Sequence, residues 1–124
     1  MQQESPFKGK TGLRRVWNAM FYSMDGLRAA YRHEDAFRQE AWLAALLIPL
    51  ALFLPASGIG HALMIASVLL VLIVELINSA IEAAIDRISL ENHSLSKRAK
   101  DIGSAAVLIA LINVAVTWAL ILVG

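Results

Sequence analysis

The 124 residues contain no cysteine, which removes disulfides, thiolate metal sites and thiol nucleophiles and leaves the redox compartment undetermined. Neither a GxxxxGK[ST] loop nor a GxGxxG turn after a strand is present, so a bound nucleotide could not rest on a P-loop or a glycine loop. His33, His61 and His93 are too scattered for a transition-metal site. No Ser-His-Asp set is evident, and Ser79, close to Glu75, has no histidine base. Charged residues make up only 17% of the chain, and a net charge of +1 gives no reason to expect a nucleic-acid partner. No apolar run follows Lys8 and Lys10 soon enough to make a secretory signal. Internal repeats and low-complexity stretches are also missing.

What is abundant is apolar. Hydrophobic residues reach 58% and the mean hydropathy is +0.62. A small soluble fold has too much surface per volume to hide that many apolar side chains. Lipid must take the excess. Residues 1–12, broken by Pro6, Gly9 and Gly12, read as a flexible cytoplasmic tail. From Leu13 to His33, Leu13, Val16, Trp17, Met20, Phe21, Met24, Leu27 and Tyr31 recur at spacings of three and four. Arg14, Arg15, Asn18, Asp25, Arg28 and Arg32 fill the other side, the pattern of a helix lying in the headgroup layer. Packing on a soluble core would give the same stripe, but the chain holds no such core. Residues 34–124 read as a three-span membrane domain, with spans at about 36–56, 61–85 and 101–123. Asp35 is the expected N-cap of the first span and Ser94 or Ser96 that of the third. Pro49 is a potential kink, and Pro55 to Gly60 is an uncharged turn.

Charge placement orients the spans. Every lysine and arginine lies either before residue 39 or between Arg87 and Lys100, and the 55–60 turn and the C-terminus carry none. By the positive-inside rule the N-terminus and the second loop are cytoplasmic. The expected fold is an all-α membrane protein, an amphipathic surface helix plus three transmembrane helices. Its expected location is a cytoplasmic membrane.

The second span ends in Glu75-Leu-Ile-Asn-Ser-Ala-Ile-Glu82-Ala-Ala-Ile-Asp86. At about 100° per residue Glu75, Ser79, Glu82 and Asp86 share one narrow stripe, with Asn78 at its flank. The stripe descends roughly 16 Å from hydrocarbon to headgroup level. Acidic groups at such depth mark a site by default. Glu82 and Asp86 are near enough to the helix end to reach water without any function, and an interhelical hydrogen bond would account for Glu75 alone. Four polar groups on one stripe favour chemistry. Glu75 suits a general base for an alcohol, and Glu82 suits Mg²⁺ shared with substrate phosphates. Lys100 offers positive charge to a phosphate chain, whereas Lys97 and Arg98 are better explained as positive-inside anchors.

Three segments together resemble the prokaryotic diacylglycerol kinase family: Glu34-Asp-Ala-Phe-Arg-Gln-Glu40, the Glu75–Arg87 stretch, and Ala99-Lys-Asp-Ile-Gly-Ser-Ala-Ala-Val107, with Gly26-Leu-Arg-Ala-Ala30 adding to the match. The likeness runs from Gly12 onward. It implies a homotrimeric helical bundle in a bacterial inner membrane, with the N-terminus cytoplasmic. It also implies ATP with Mg²⁺ as phosphoryl donor and diacylglycerol or a related lipid alcohol as acceptor. By that resemblance Glu75 is the catalytic base, and Glu34 and Glu82 hold the metal. Arg15, Tyr22, Glu34, Glu82, Glu91, Asn92, His93, Lys100 and Asp101 would contact ATP. Arg15, Ser23, Arg28, Arg38, Glu75 and Ser104 would lie near the lipid, with Asn78 and Asp86 in support. Met24 departs from the aromatic usual in the family. Asn113 and Thr117 are unusual polar residues in the third span, four apart on one face, and an interhelical hydrogen bond would explain them.

Three thin helices cannot surround both a nucleotide and a lipid, so association of copies is expected on physical grounds too. The small residues Ser79, Ala80, Ala83 and Ala84, and Gly103 to Ala106, permit close helix approach. An undecaprenol kinase would use the same stripe on a longer acceptor. A proton or cation pathway would need polar groups on the outer half of the second span, where His61 to Val74 offers only Ser67. A non-catalytic membrane scaffold would move no phosphate at all.

Overall fold

The computed structural model describes residues 12–88 and 94–124. They form four helices, α1 (Gly12–His33), α2 (Asp35–Phe53), α3 (Gly58–Ile88) and α4 (Ser94–Val123), and no strand occurs among them. The proposed 1–12 tail and the loop residues Glu91, Asn92 and His93 lie outside the described residues, apart from Gly12, which opens α1.

α1 is amphipathic, and its apolar stripe is not covered by the other described residues: Leu13, Val16, Trp17, Met20 and Phe21 are all exposed. Such a face needs lipid or a neighbour. α1 and α2 are separated by one extended residue, Glu34, whose side chain makes no cap bond. The expected cap Asp35 is instead the first residue of α2 and pairs with Arg38 one turn on. Arg38 settles the junction differently. Its guanidinium reaches back to donate to the Tyr31 carbonyl at 2.5 Å and the Arg32 carbonyl at 3.5 Å, groups that the end of α1 leaves without helical partners. It also sits 5.8 Å from the Tyr31 ring centroid, and Trp42 Nε1 donates to the Tyr31 hydroxyl at 2.9 Å.

α2 runs through Pro49 and ends before Pro55. The turn is shorter than the Pro55–Gly60 segment suggested. Ser57 Oγ accepts from the Gly60 N–H at 3.0 Å, and this cap draws Gly58, Ile59 and Gly60 into the first turn of α3. His61 Nε2 donates to the Leu54 carbonyl at 2.8 Å and ties the two helix ends together. Gly60 is glycine for a reason of space: a Cβ there would lie 3.1 Å from Ala56 Cβ and 3.2 Å from Ile121 Cγ2. At the other end of the bundle, Asp86 near the end of α3 meets Lys100 near the start of α4. α3 is therefore antiparallel to α4. Ser94 is the first residue of α4 and Ser96 lies within its first turn.

α3 is the central helix, packed against both α2 and α4, while α1 packs chiefly against α2. Its buried positions include Met64, Val68 and Val71 in the apolar half and Glu75, Asn78 and Ser79 towards the charged end. α2, α3 and α4 are each long and apolar enough to cross a membrane. α4 buries only Ala110 among its residues, while Leu108, Ile109, Ile112 and Leu120 face outward. That inversion is stable in lipid, where helices satisfy their own backbone and apolar side chains need no shelter.

In the outer half of the bundle the Trp118 indole N–H lies 3.2 Å from both the Met64 carbonyl and Ser67 Oγ, and Ser67 donates to the same carbonyl at 2.7 Å. Ser67, the polar residue a transmembrane relay would need there, is thus engaged within the core. Trp118→Phe keeps an aromatic ring but deletes the donor. It should lower resistance to denaturing detergent by about 1 kcal/mol, the scale of an interhelical hydrogen bond in a membrane, as read by a detergent unfolding titration.

Candidate active site at the charged end of the bundle

The regular turn of α3 carries Glu75, Asn78, Glu82 and Asp86 from the buried interior to the exposed helix end. Glu75 is 5% exposed and Asn78 and Ser79 are each 7% exposed, while Glu82 is half-buried and Asp86 exposed. Asn78 Nδ2 donates to Glu82 Oε1 at 3.2 Å, one turn along the same helix. This contact orients the amide: a carboxylate can only accept, so the nitrogen must face Glu82. The Asn78 carbonyl oxygen is buried without a hydrogen-bond partner.

The acid stripe gathers two more carboxyls from the start of α2. Glu40 and Glu82 approach Glu75 closely enough for their carboxyls to act on it, and Glu34 is near enough for its charge to do so. Glu40 carries no site role in the sequence reading, where it only ends the Glu34–Glu40 segment of the family resemblance. No local spacing marks it, because the residue that gives it meaning, Glu75, stands far along the chain on α3. One Glu40 oxygen is buried without a partner. The residue also closes one end of an apolar cavity of about 210 Å³, walled by Leu43, Leu47, Val71, Leu111 and Val114 among others. Carboxyl groups drawn together in this way repel one another unless a proton or a cation sits among them.

Across from the stripe stands a cation. Lys100 Nζ is 2.7 Å from Asp86 Oδ1, an ion pair that bridges α3 and α4. Lys97 is paired instead with Asp101 on its own helix at 2.7 Å. Lys97, Arg98 and Asp101 line a separate open groove on α4 together with Ser94, Ile102 and Ala105. The α4 cations are thus divided, with Lys100 turned to the acid stripe and Lys97 and Arg98 on a different face. Asp101, a candidate nucleotide contact, lies with the second group.

Other candidates stand apart. Arg15, Ser23 and Arg28 are exposed on α1, with Arg28 3.3 Å from Asp25, and Tyr22 is exposed beside them. Arg38 is engaged at the α1–α2 junction, and Ser104 is exposed on α4. Among the described residues no three histidine or acidic side chains form a closed metal cage. Magnesium needs none. It is usually held by one or two carboxylates together with substrate phosphates and water. Glu82, half-buried with one oxygen held by Asn78, and the half-buried Glu34 match that donor set.

The chain's likeness to known proteins points the same way. The sequence pattern of the prokaryotic diacylglycerol kinase family matches residues 21–122. A diacylglycerol kinase of Pseudomonas aeruginosa is 60% identical over 120 residues, covering 97% of this chain and 98% of that protein. One from Escherichia coli is 53% identical over 112 residues, covering 90% and 92%. One from Helicobacter pylori is 46% identical over 115 residues, covering 93% and 89%. The match takes in all three membrane-length helices and every member of the acid stripe, so the chain belongs to the prokaryotic diacylglycerol kinase family.

Proposed function

We propose that this protein transfers the γ-phosphoryl group of ATP to the free hydroxyl of diacylglycerol at the cytoplasmic face of a bacterial inner membrane. Phosphatidic acid and ADP are the products. The observation that carries this reading is Glu75, a 5% exposed carboxyl on a membrane-length helix, joined by Glu40 and Glu82 and facing the end of the bundle where Lys100 stands. The family relatives, named as diacylglycerol kinases, supply the acceptor, and none of the similar proteins favours a polyprenol.

The geometry suits a substrate whose acyl chains stay in the bilayer while its hydroxyl lies at the interface. Glu75 takes the hydroxyl proton. The oxygen forms its bond to the γ-phosphorus as the bond to the β–γ bridging oxygen breaks, and ADP leaves. Glu34 and Glu82 would hold Mg²⁺, which when bound offsets negative charge on the phosphates. Lys100 adds charge at the same level after exchanging Asp86 for a phosphate oxygen. Arg15, Tyr22, Asp101 and the residues Glu91, Asn92 and His93 complete the nucleotide contacts, and Ser23, Arg28, Arg38 and Ser104 border the lipid. Phosphoryl transfer asks chiefly for positioning and charge stabilisation, which side chains on a few rigid helices can supply.

The family resemblance implies a homotrimer, and the uncovered faces of the chain support association of copies. α1 and α4 expose long apolar faces, and the candidate nucleotide residues of α1 are not gathered onto the stripe by α2 packing alone. Neighbouring copies would close the site. Arginines on α1 and the basic residues from Arg87 to Lys100 support a cytoplasmic position for the charged end by the positive-inside rule.

Purified protein given radiolabelled ATP, magnesium and diacylglycerol should yield labelled phosphatidic acid, and absence of label in the lipid would defeat the reading. Glu75→Gln should lower turnover by about 10²-fold or more, the usual contribution of a general base, with the assembly unchanged by crosslinking. An active Glu75→Gln enzyme would remove Glu75 from the base role. Lys100→Leu should raise the KM for ATP more than that for lipid; equal effects on both would place Lys100 outside the nucleotide site.

A further inference from the structure

Gly103 of α4 lies against Asn78 of α3 more tightly than any other residue type would allow. A Cβ built at position 103 would overlap Asn78 Oδ1 and lie 3.1 Å from Asn78 Cγ. The Asn78 carbonyl therefore occupies the space of the missing side chain. That oxygen is buried and unpartnered, so no hydrogen bond holds it there. It is accommodated there by the absence of a side chain on the facing helix. The other end of the same amide donates to Glu82 Oε1 at 3.2 Å.

From this we propose that Gly103 is a positioning residue for divalent-metal binding, acting through Asn78 on the Glu82 carboxylate. The proposal rests on the reading of Glu82 as a metal ligand. Asn78 is an amide with one edge seated on α4 and the other fixing a carboxylate on α3, so the spacing of the two helices sets the direction in which Glu82 points. One turn earlier on α4, Lys100 holds Asp86, one turn beyond Glu82. The helix contact therefore governs the acid that takes the cation and the lysine that takes the phosphate together. A methyl group at 103 displaces the Asn78 amide, the flexible partner in the contact, and rotation of that amide releases Glu82. Groups that orient a metal ligand from behind are typically worth 10–100-fold in metal affinity.

Mn²⁺ binding to the full-length purified protein, read by loss of the free-ion paramagnetic signal in the presence of a non-hydrolysable ATP analogue, tests this without turnover. Gly103→Ala and Asn78→Ala should each weaken Mn²⁺ binding by about 10-fold. The double variant should be no weaker than Asn78→Ala, because the methyl then has no amide to displace. Unchanged Mn²⁺ affinity in Gly103→Ala, or the same loss from Gly103→Ala in both backgrounds, would overturn the proposal. If Gly103→Ala does not assemble, assembly restored by Asn78→Ala supports the contact, and failure of the double variant as well reduces Gly103 to a packing residue and overturns it. Absence of Mn²⁺ binding in the unaltered protein would instead defeat the metal reading of Glu82 itself.

Discussion

A carboxyl group inside a bilayer has no water to fall back on, and the arrangement of this chain follows from how Glu75 meets that constraint. It is buried between helices rather than turned to lipid, and its companion is another carboxyl, Glu40, from α2. Two such groups side by side are a poor structural device, since replacing them with apolar residues of similar size is generally no worse for stability. Their pairing at the hydrocarbon edge is what the proposed chemistry would use. α3 must then be the central helix, because only there can one stripe be reached from α2 on one side and α4 on the other. The outer half of the same helix is free to pack with Met64, Val68 and Val71, and its one interior hydroxyl is consumed by Trp118 and the backbone.

The division of labour between the two ends of the bundle has an energetic logic. At the uncharged end, short bonds within the chain fix the helices: Ser57 to Gly60, His61 to Leu54, Trp118 to Ser67. These bonds tie the helix ends and the apolar core to one another. At the charged end the inventory is the reverse. One Glu40 oxygen and the Asn78 carbonyl are unpartnered, and the Lys100–Asp86 pair is exposed enough to exchange with a charged substrate. An exposed ion pair is held weakly, so Lys100 can trade a carboxylate for a phosphate at little cost. Rigidity at one end and unspent hydrogen-bonding capacity at the other suit a site that must hold several charged atoms in line.

Much of this was legible from residues alone. The repeat of apolar side chains from Leu13 to Tyr31 gave α1, and the depth and period of Glu75, Ser79, Glu82 and Asp86 gave the acid stripe, because both depend only on helical geometry. Cap positions were less readable. Asp35 has the chemistry of an N-cap, yet Arg38 satisfies the end of α1 and leaves Asp35 inside α2. The turn before α3 was overdrawn because Gly58 and Gly60 look like loop residues, while Ser57 caps a helix that includes them. Glu40 was missed as part of the site. Its meaning comes from contact with Glu75, thirty-five positions away, and no local pattern encodes that. Gly103 was visible only as one of a run of small residues, and its particular partner required knowing which residue of α3 it faces.

The link from helix spacing to chemistry explains why so small a scaffold can serve at all. Larger kinases gather nucleotide, metal and acceptor with loops and separate lobes, each able to adjust. Here the groups sit on straight helices, so their relative placement is decided where the helices touch. Glycine at 103 lets α3 and α4 approach at the level of Asn78, and Asp86 and Lys100 join them just beyond. The register of this single interface therefore sets where Glu82 and Lys100 stand relative to one another. Precision that loops supply elsewhere is supplied here by the absence of a side chain, which costs the protein no residues.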